Sequence, residues 1–355
     1  MTEGDGIPPT SRAGVREKHL SLVLGGGNAL GAYHLGACRA LLSQGMEPDW
    51  IVGASIGAVT GAILLGNPPE SRLEQLEQFW QQAAQPEPWW VTPGSFGALR
   101  AGVNNGTAAA ALLFGRPGLF APRLPGLFSA IPGMPAAHSI ASHRALAATI
   151  ERLVDFDRLN STGPRFSMVT LDVETGEEVW FDNRHDRIGP EHLLAATGLL
   201  PMFPPVDIGG RLLCDAGLAN NLPVDRVFSE PLAGEHLCIA VDLFSSGSGR
   251  PETLDQSAVR AQDLVFSTQS RRTIAALERR MEAQGGTDGG PARLALISYR
   301  APLHHGALKT LDFSRRSLDD RAAQGREDMT ALLRHLRQMP VSSGFIVSSP
   351  PGPFP

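Results

Sequence analysis

The sequence predicts an α/β protein with a mostly parallel central sheet and helices on both faces. Short apolar segments typical of strands alternate along the chain with segments whose apolar residues recur at helical spacing. Two strand-to-helix junctions are rich in glycine, at residues 25–27 and 53–57. A chain of 355 residues is long enough to bury the large core that such a sheet needs.

The first part of the chain reads as strands followed by helices. The predicted elements are a strand at 19–24, a helix that continues through residue 42, a strand at 48–52, a helix at 58–65 and a helix that begins at 71. Ser71 and Glu74 have the spacing of a capping box at the start of the last of these helices. Between residues 86 and 142 the pattern gives way to Gly, Pro, Ala and aromatic residues, which indicates an insertion.

Regular elements resume after the insertion. They are a helix at 143–154, strands at 165–172 and 177–182, a helix at 190–197, strands at 211–214 and 236–244, a helix at 254–283, a strand at 293–299 and a helix at 318–337. The domain organisation predicted from this pattern is a disordered N-terminal segment 1–18, a main domain 19–245, a C-terminal helical extension 246–339 with a late strand, and a disordered tail 340–355.

Composition excludes several classes of protein. The net charge of -5 gives no reason to expect a nucleic-acid partner. Three widely spaced cysteines argue against a disulfide framework and against a zinc site, and they favour a reducing compartment. The polar N-terminus lacks the apolar core of a signal peptide, and no apolar run reaches the roughly 18 residues of a membrane span. We therefore expect a cytoplasmic protein.

Ser55 lies in the sequence Gly53-Ala54-Ser55-Ile56-Gly57, between an apolar strand and a helix of small residues. This G-x-S-x-G pattern in a strand–turn–helix context is typical of a nucleophile elbow. Gly53 and Gly57 permit the tight turn, and the start of the helix favours negative charge developing at the serine. The alternative is an ordinary glycine-rich turn without catalytic function.

The glycine run after the first strand exposes backbone N–H groups that no side chain covers. Such a run, followed by a helix, can form an anion or oxyanion site. The alternative is a dinucleotide-binding fingerprint, for which Asp49 lies at roughly the spacing of the ribose-binding acid. The G-x-G-x-x-G pattern is incomplete, however, because Leu30 or Asn28 stands where a glycine is required.

Asp215 ends a short apolar strand and begins the triplet Asp215-Ala216-Gly217. A carboxylate at this place can reach the edge of the sheet that carries the serine and accept its proton. The alternative is a turn-forming acid. A Ser–Asp–His triad would instead use His236, His304 or His305, but we expect these side chains to lie at the surface or at a strand edge.

Taken together, three motifs resemble the patatin-like phospholipases, a family of lipid acyl hydrolases. They are residues 26–33 (GGNALGAY), residues 53–57 (GASIG) and Asp215-Ala216-Gly217, and they occur in the order and at the spacing of the family. Residues 199–206 also resemble the segment before the family's aspartate, and residues 309–316 resemble the C-terminal extension of a bacterial subgroup.

The resemblance implies a three-layer patatin-like fold and a Ser55–Asp215 catalytic dyad without metal or cofactor. It also implies that the backbone N–H groups of Gly26, Gly27 and Asn28 form the oxyanion hole. Asn28 replaces the usual third glycine, which asparagine's tolerance of positive φ allows. Leu30 replaces a basic residue and so removes a positive charge near the site. The changed glycine loop motivates an alternative function, that of a non-catalytic lipid-binding or scaffolding homologue.

The insertion 86–142 combines aromatic and leucine side chains with sparse arginines, and residues 88–150 contain no Asp or Glu. This composition suits contact with a lipid surface, with Trp89, Trp90 and Phe120 at headgroup level. Five prolines between 117 and 135 predict short helical pieces that form a flap over the site. The alternative is a mobile insertion that packs its aromatic residues on the core.

Overall fold

A computed structural model gives the structure of most of the chain. It describes residues 18–86, 98–123, 126–132, 134, 136–231, 234–247, 249–284, 290–302, 305–339 and 344–349. The N-terminal segment 1–17 and the tryptophans Trp89 and Trp90 lie outside the described residues. The expectation of disorder at the N-terminus therefore stays a prediction.

The strands alternate with helices as the sequence predicts. The strands are β1 (Lys18–Leu24), β2 (Trp50–Ala54), β3 (Ala121–Pro122), β4 (Ala141–Ser142), β5 (Arg165–Asp172), β6 (Glu178–Asp182), β7 (Val206–Ile208), β8 (Arg211–Asp215), β9 (Glu235–Asp242), β10 (Ala292–Ser298) and β11 (Phe345–Ser348). The α-helices are α1 (Ala32–Ser43), α2 (Ile56–Leu65), α3 (Arg72–Ala83), α4 (Ala98–Phe114), α5 (Arg144–Leu153), α6 (Phe156–Leu159), α7 (Pro190–Ala196), α8 (Val224–Val227), α9 (Leu254–Ala283) and α10 (Arg315–Gln338).

One sheet organises the molecule. Within the described residues it has nine strands: eight follow the order β11-β10-β9-β1-β2-β5-β8-β7, and β6 also pairs with β5. The six strands from β11 to β5 in this order are mutually parallel, whereas β6, β7 and β8 are joined by antiparallel pairing. The predicted mostly parallel sheet is therefore confirmed.

Helices cover both faces of the sheet. Successive side chains of a buried strand point to opposite faces, so a single strand packs against both layers of helices. In β1, Leu22 and Leu24 belong to the cluster that contains α1, α2 and α3. Val23, between them, belongs to the cluster that contains α8 and α9. This arrangement gives the three layers that the sequence predicts.

The C-terminal extension is continuous with the main domain rather than appended to it. β10 pairs with β9, and β11 pairs with β10, so both strands extend the central sheet. The expectation of a disordered tail over 340–355 is wrong for Phe345–Ser348, because the free edge of β10 gives this short segment a backbone partner. Helix α10 packs along α1, and the Tyr33 hydroxyl donates to Asp328 at 2.7 Å.

Two local expectations are wrong. The insertion contains a helix of 17 residues, α4, rather than only short pieces, because the segment Ala98–Phe114 ends before the first of the five prolines. Ser71 precedes α3 but makes no side-chain capping bond, so the capping box with Glu74 does not form. Among the described residues, no helix combines the length and apolarity needed to cross a membrane.

The crossing of α1 and α10 depends on two glycines, and this predicts a specific effect on stability. A Cβ at Gly36 would lie 1.7 Å from the Ala322 carbonyl oxygen, and one at Gly325 would lie 2.1 Å from the Tyr33 carbonyl oxygen. We expect Gly36→Ala to lower the free energy of unfolding by about 1–3 kcal/mol or more, because the helices must move apart. Urea unfolding measures this change.

Gly102→Ala is the matched control, since Gly102 also lies inside a helix but a Cβ there meets nothing within 4 Å. That variant should gain about 0.5–1 kcal/mol, the usual advantage of alanine over glycine in a helix. Equal stability of the two variants would contradict the close packing.

Candidate active site

Ser55 occupies the turn between β2 and α2 and has an unusual backbone conformation. Its φ is 53° and its ψ is -125°, and Asn28 (φ 52°) is the other non-glycine residue with positive φ among those described. Residues other than glycine rarely adopt such angles, and they cluster at functional sites. Both residues line the same cavity.

The two glycines of the elbow are required by close backbone contacts. A Cβ at Gly57 would lie 2.0 Å from the Leu24 carbonyl oxygen, and one at Gly53 would lie 2.5 Å from the Ala58 nitrogen. Each contact is shorter than any side chain allows, so α2 can approach β1 and β2 only with glycine at these positions. The turn that presents Ser55 is therefore fixed by the packing of its flanks.

Sheet register brings Asp215 to Ser55. Ala54 of β2 pairs with Val169 of β5, and Asp215 of β8 pairs with Thr170, the next residue of β5. The serine after Ala54 and the aspartate thus approach from opposite sides of one strand. Both residues line the same cavity, and the interaction of the Ser55 side chain with the Asp215 carboxylate lowers the pKa of that carboxylate.

The Asp215 carboxylate is 2% exposed, and its Oδ1 accepts the Gly217 N–H at 2.8 Å. Burial raises the pKa of Asp215 to about 6, while the hydrogen bonds from Ser55 and Gly217 act in the opposite direction. The carboxylate is therefore mostly ionised at neutral pH and is a stronger proton acceptor than an exposed aspartate.

The glycine loop lies beside Ser55, but the predicted role of the Gly26 N–H as a donor of the oxyanion hole is wrong. The N–H of Gly26 donates to the Asn221 carbonyl oxygen at 3.1 Å and so is not directed at the serine. Among the described residues, no acceptor bonds the N–H groups of Gly27 and Asn28, and both residues line the cavity with Ser55. Asn28 takes the positive φ that the sequence analysis expects of it.

Asn221 is a site residue that the sequence analysis missed. Its side-chain Nδ2 donates to the Gly26 carbonyl oxygen at 3.1 Å, and its own N–H donates to Gln269 Oε1 at 3.2 Å. The asparagine thus joins the segment after Asp215 to the glycine loop and to α9. The pair Asn220-Asn221 shortly after Asp215 was the only sequence signal for this contact.

The cavity at Ser55 has a volume of about 220 Å3, and its wall is mostly apolar. The apolar side chains come from all parts of the chain: Ile56, Phe79, Trp80, Leu119, Phe120, Leu146, Leu199, Met202, Phe203, Phe244, Phe266, Leu311 and Phe313. Phe120 is buried here, so its predicted position at a lipid headgroup is wrong. A cavity of this kind suits a hydrocarbon chain.

The histidines considered for a triad lie elsewhere. His236 is buried within β9, contrary to expectation, and its Nε2 lies 3.0 Å from Ser21 Oγ. His305 is also buried and pairs with Tyr299, while His304 lies outside the described residues. His143 does line the cavity, but its Nε2 hydrogen-bonds the Leu194 carbonyl oxygen at 3.0 Å, and burial lowers its pKa.

Comparison with known proteins agrees with this geometry. A sequence model of the family described as patatin-like phospholipase matches residues 22–228, which is more than half of the chain. The chain belongs to the patatin-like phospholipase family. The match includes the glycine loop, the elbow and Asp215, and it leaves the dinucleotide-binding alternative without support.

Two curated relatives illustrate the range of this patatin-like family. Human patatin-like phospholipase domain-containing protein 4 is 27% identical over 215 residues, which cover 58% of this chain and 68% of that protein. An uncharacterized NTE family protein of Mycobacterium tuberculosis is 24% identical over 273 residues, or 74% of this chain. This chain spans 61% of the length of the mycobacterial relative.

Solved structures give more remote likenesses. VipD from Legionella pneumophila has a TM-score of 0.41 at 14% identity, with 89% of this chain and 67% of that chain covered. Human GIVD cytosolic phospholipase A2 also has a TM-score of 0.41, at 13% identity, with 90% and 59% covered.

The interaction of Ser55 with Asp215 predicts a measurable coupling. We expect Ser55→Ala to raise the pKa of Asp215 above its value of about 6, because the ionised carboxylate loses a donor. Carbon-detected NMR titration of the carboxyl groups measures the shift. Asp242 is the internal control: burial raises its pKa to about 7, but it bonds Ser270 instead of Ser55 and should not change. An unchanged Asp215 pKa would show that the two groups do not interact.

Proposed function

We propose that this protein is a lipid acyl ester hydrolase of the phospholipase or lysophospholipase type, with Ser55 as nucleophile and Asp215 as general base. The observation that carries the proposal is the placement of Ser55, held at a positive φ, beside the buried Asp215 carboxylate in one apolar cavity. Membership in the patatin-like phospholipase family supports the assignment to lipid hydrolysis.

The proposed reaction has two steps. Ser55 Oγ attacks the ester carbonyl carbon while its proton passes to Asp215, and collapse of the tetrahedral intermediate transfers that proton to the leaving alcohol. Asp215 then takes a proton from the water that attacks the acyl carbon, and it passes this proton to Ser55 Oγ as the bond to the serine breaks and the fatty acid leaves. No metal or cofactor is required by these steps.

The negative charge that develops on the carbonyl oxygen needs hydrogen-bond donors. We assign this role to the N–H groups of Gly27 and Asn28, which border the cavity and have no other acceptor among the described residues. Removing one such donor costs an enzyme about 10²–10³ in rate, so the shape of this loop matters as much as the dyad.

A non-catalytic lipid-binding or scaffolding protein is the alternative, since the same cavity could hold a lipid without reacting with it. The positive φ of Ser55 argues against this alternative, because a binding cavity has no need of a strained serine beside a carboxylate. A fluorophosphonate probe distinguishes the two, as it labels only an activated serine.

The central test compares hydrolysis of p-nitrophenyl esters and of a phospholipid and lysophospholipid panel by the wild type, Ser55→Ala and Asp215→Asn. We expect both variants to lose at least about 10³-fold in kcat, because a weak nucleophile without its base does not attack esters. Neither variant should react with the fluorophosphonate at the wild-type rate.

Two variants serve as controls for this test. Ser267→Ala removes another buried serine, and Asp242→Asn neutralises a buried aspartate at the end of β9. Both should keep activity near that of the wild type. Activity in Ser55→Ala would refute the proposal, and a folded wild type without activity or label would favour the lipid-binding alternative.

We also propose that the described part of the insertion contacts a lipid surface. Its exposed apolar side chains are Leu113, Phe114, Phe128, Ile131 and Met134, of which Phe114 is 79% exposed. Leu119 and Phe120, from the loop after α4, line the cavity, so a lipid surface at this place would adjoin the substrate entry.

This contact predicts that Phe114→Ser/Phe128→Ser reduces co-sedimentation with phosphatidylcholine–phosphatidylglycerol vesicles several-fold, because two rings no longer enter the interface. Hydrolysis of a soluble p-nitrophenyl ester should stay unchanged. Leu254→Ser is the control, since Leu254 is 88% exposed but lies outside the insertion. Equal vesicle binding by the double variant and the control would remove the insertion from the interface.

A further inference from the structure

Arg321 is the largest fully buried side chain among the described residues, and it lies in α10 of the C-terminal extension. Its Nη1 donates to the carbonyl oxygens of Asp312 at 2.7 Å and Ala29 at 3.1 Å. Its Nη2 donates to the Lys309 carbonyl oxygen at 3.0 Å. The guanidinium thus joins two segments that are nearly 300 residues apart in the chain.

A buried cation is costly unless it is paired, and the Asp312 carboxylate is the counter-charge of Arg321. The Asp312 carboxylate lies 3.7 Å from Nη2 and also accepts bonds from Thr107 Oγ1 at 3.1 Å and the Ser314 N–H at 3.0 Å. The neighbouring Lys309 is paired with Asp263. The charges form a compact buried network behind the cavity wall.

Ala29, the acceptor of one of these bonds, belongs to the 3-10 turn Asn28–Gly31 that follows the glycine run. Asn28 lines the cavity with Ser55, and the buried Leu30 brings no charge to this turn. On the other side of Arg321, Leu311 and Phe313 flank Asp312 and also line the cavity. One guanidinium therefore contacts the turn that carries the oxyanion donors and the segment that forms part of the wall.

We propose that Arg321 is a positioning residue that fixes the glycine loop for reaction through its hydrogen bond to the Ala29 carbonyl oxygen. The inference rests on the proposed hydrolase function. Oxyanion donors work only when they are held within about 0.5 Å of the productive geometry. The Ala29 carbonyl oxygen held by the buried arginine and the Asn28 residue belong to the same 3-10 turn, so this hydrogen bond restricts the movement of the turn as a whole.

The first test is Arg321→Lys, which keeps the charge but cannot make three bonds in the plane of a guanidinium. We expect kcat to fall by about 10- to 100-fold with KM within twofold of the wild type, because misplaced donors weaken transition-state binding alone. Active sites are counted by the end point of fluorophosphonate labelling, so that unfolded protein does not enter kcat. Arg334→Met removes an exposed arginine of the same helix and should have no effect.

Thr107→Val is a milder second variant that removes one hydrogen bond to Asp312 and keeps the side-chain shape. It should lower kcat by a smaller factor than Arg321→Lys without changing KM. If Arg321→Lys does not fold, Thr107→Val alone tests the proposal. A wild-type kcat per active site, in whichever variant folds, overturns the proposal, as does a change confined to KM. A wild type that neither hydrolyses esters nor takes the label refutes the proposed function instead.

Discussion

The placement of Ser55 beside Asp215 depends on a serine held at a φ of 53°, and most of the structure around the site serves this constraint. The conformation is unfavourable by itself and persists only where the surrounding packing leaves no alternative. Helix α2 lies against β1 and β2 at distances that only Gly53 and Gly57 permit. The sheet register then delivers the aspartate to the same point of β5.

The loop beside this pair is held from two sides by hydrogen bonds from distant segments of the chain. Asn221 bonds Gly26 through both its backbone carbonyl and its side-chain amide. Arg321 bonds Ala29 from the opposite end of the chain. The residues after Phe244 are thus part of the site: they complete the sheet through β10 and β11, and Leu311 and Phe313 form part of the cavity wall.

Local sequence patterns predicted the structure correctly where a segment's conformation depends on its own residues. The alternation of strands and helices, the helix over Leu254–Ala283 and the turn at Ser55 follow from residue spacing and from glycine placement, which act within a few residues. The same patterns failed where the conformation or the burial of a segment depends on a strand that is distant in sequence. Phe345–Ser348 becomes a strand because β10 has a free edge, and His236 is buried because β9 lies between β1 and β10.

The sequence by itself determined the fold class and the family, and it predicted Ser55 and Asp215 as the site pair, since these follow from local residue spacing and from short motifs. Only the tertiary structure decided which N–H groups remain available beside the serine, because the N–H of Gly26 is taken by Asn221, about 195 positions away. It also decided that Arg321 of α10 hydrogen-bonds the Ala29 carbonyl oxygen in the turn after the glycine run. Hydrogen bonds and burial depend on which distant segments the sheet brings together, and no local pattern encodes them.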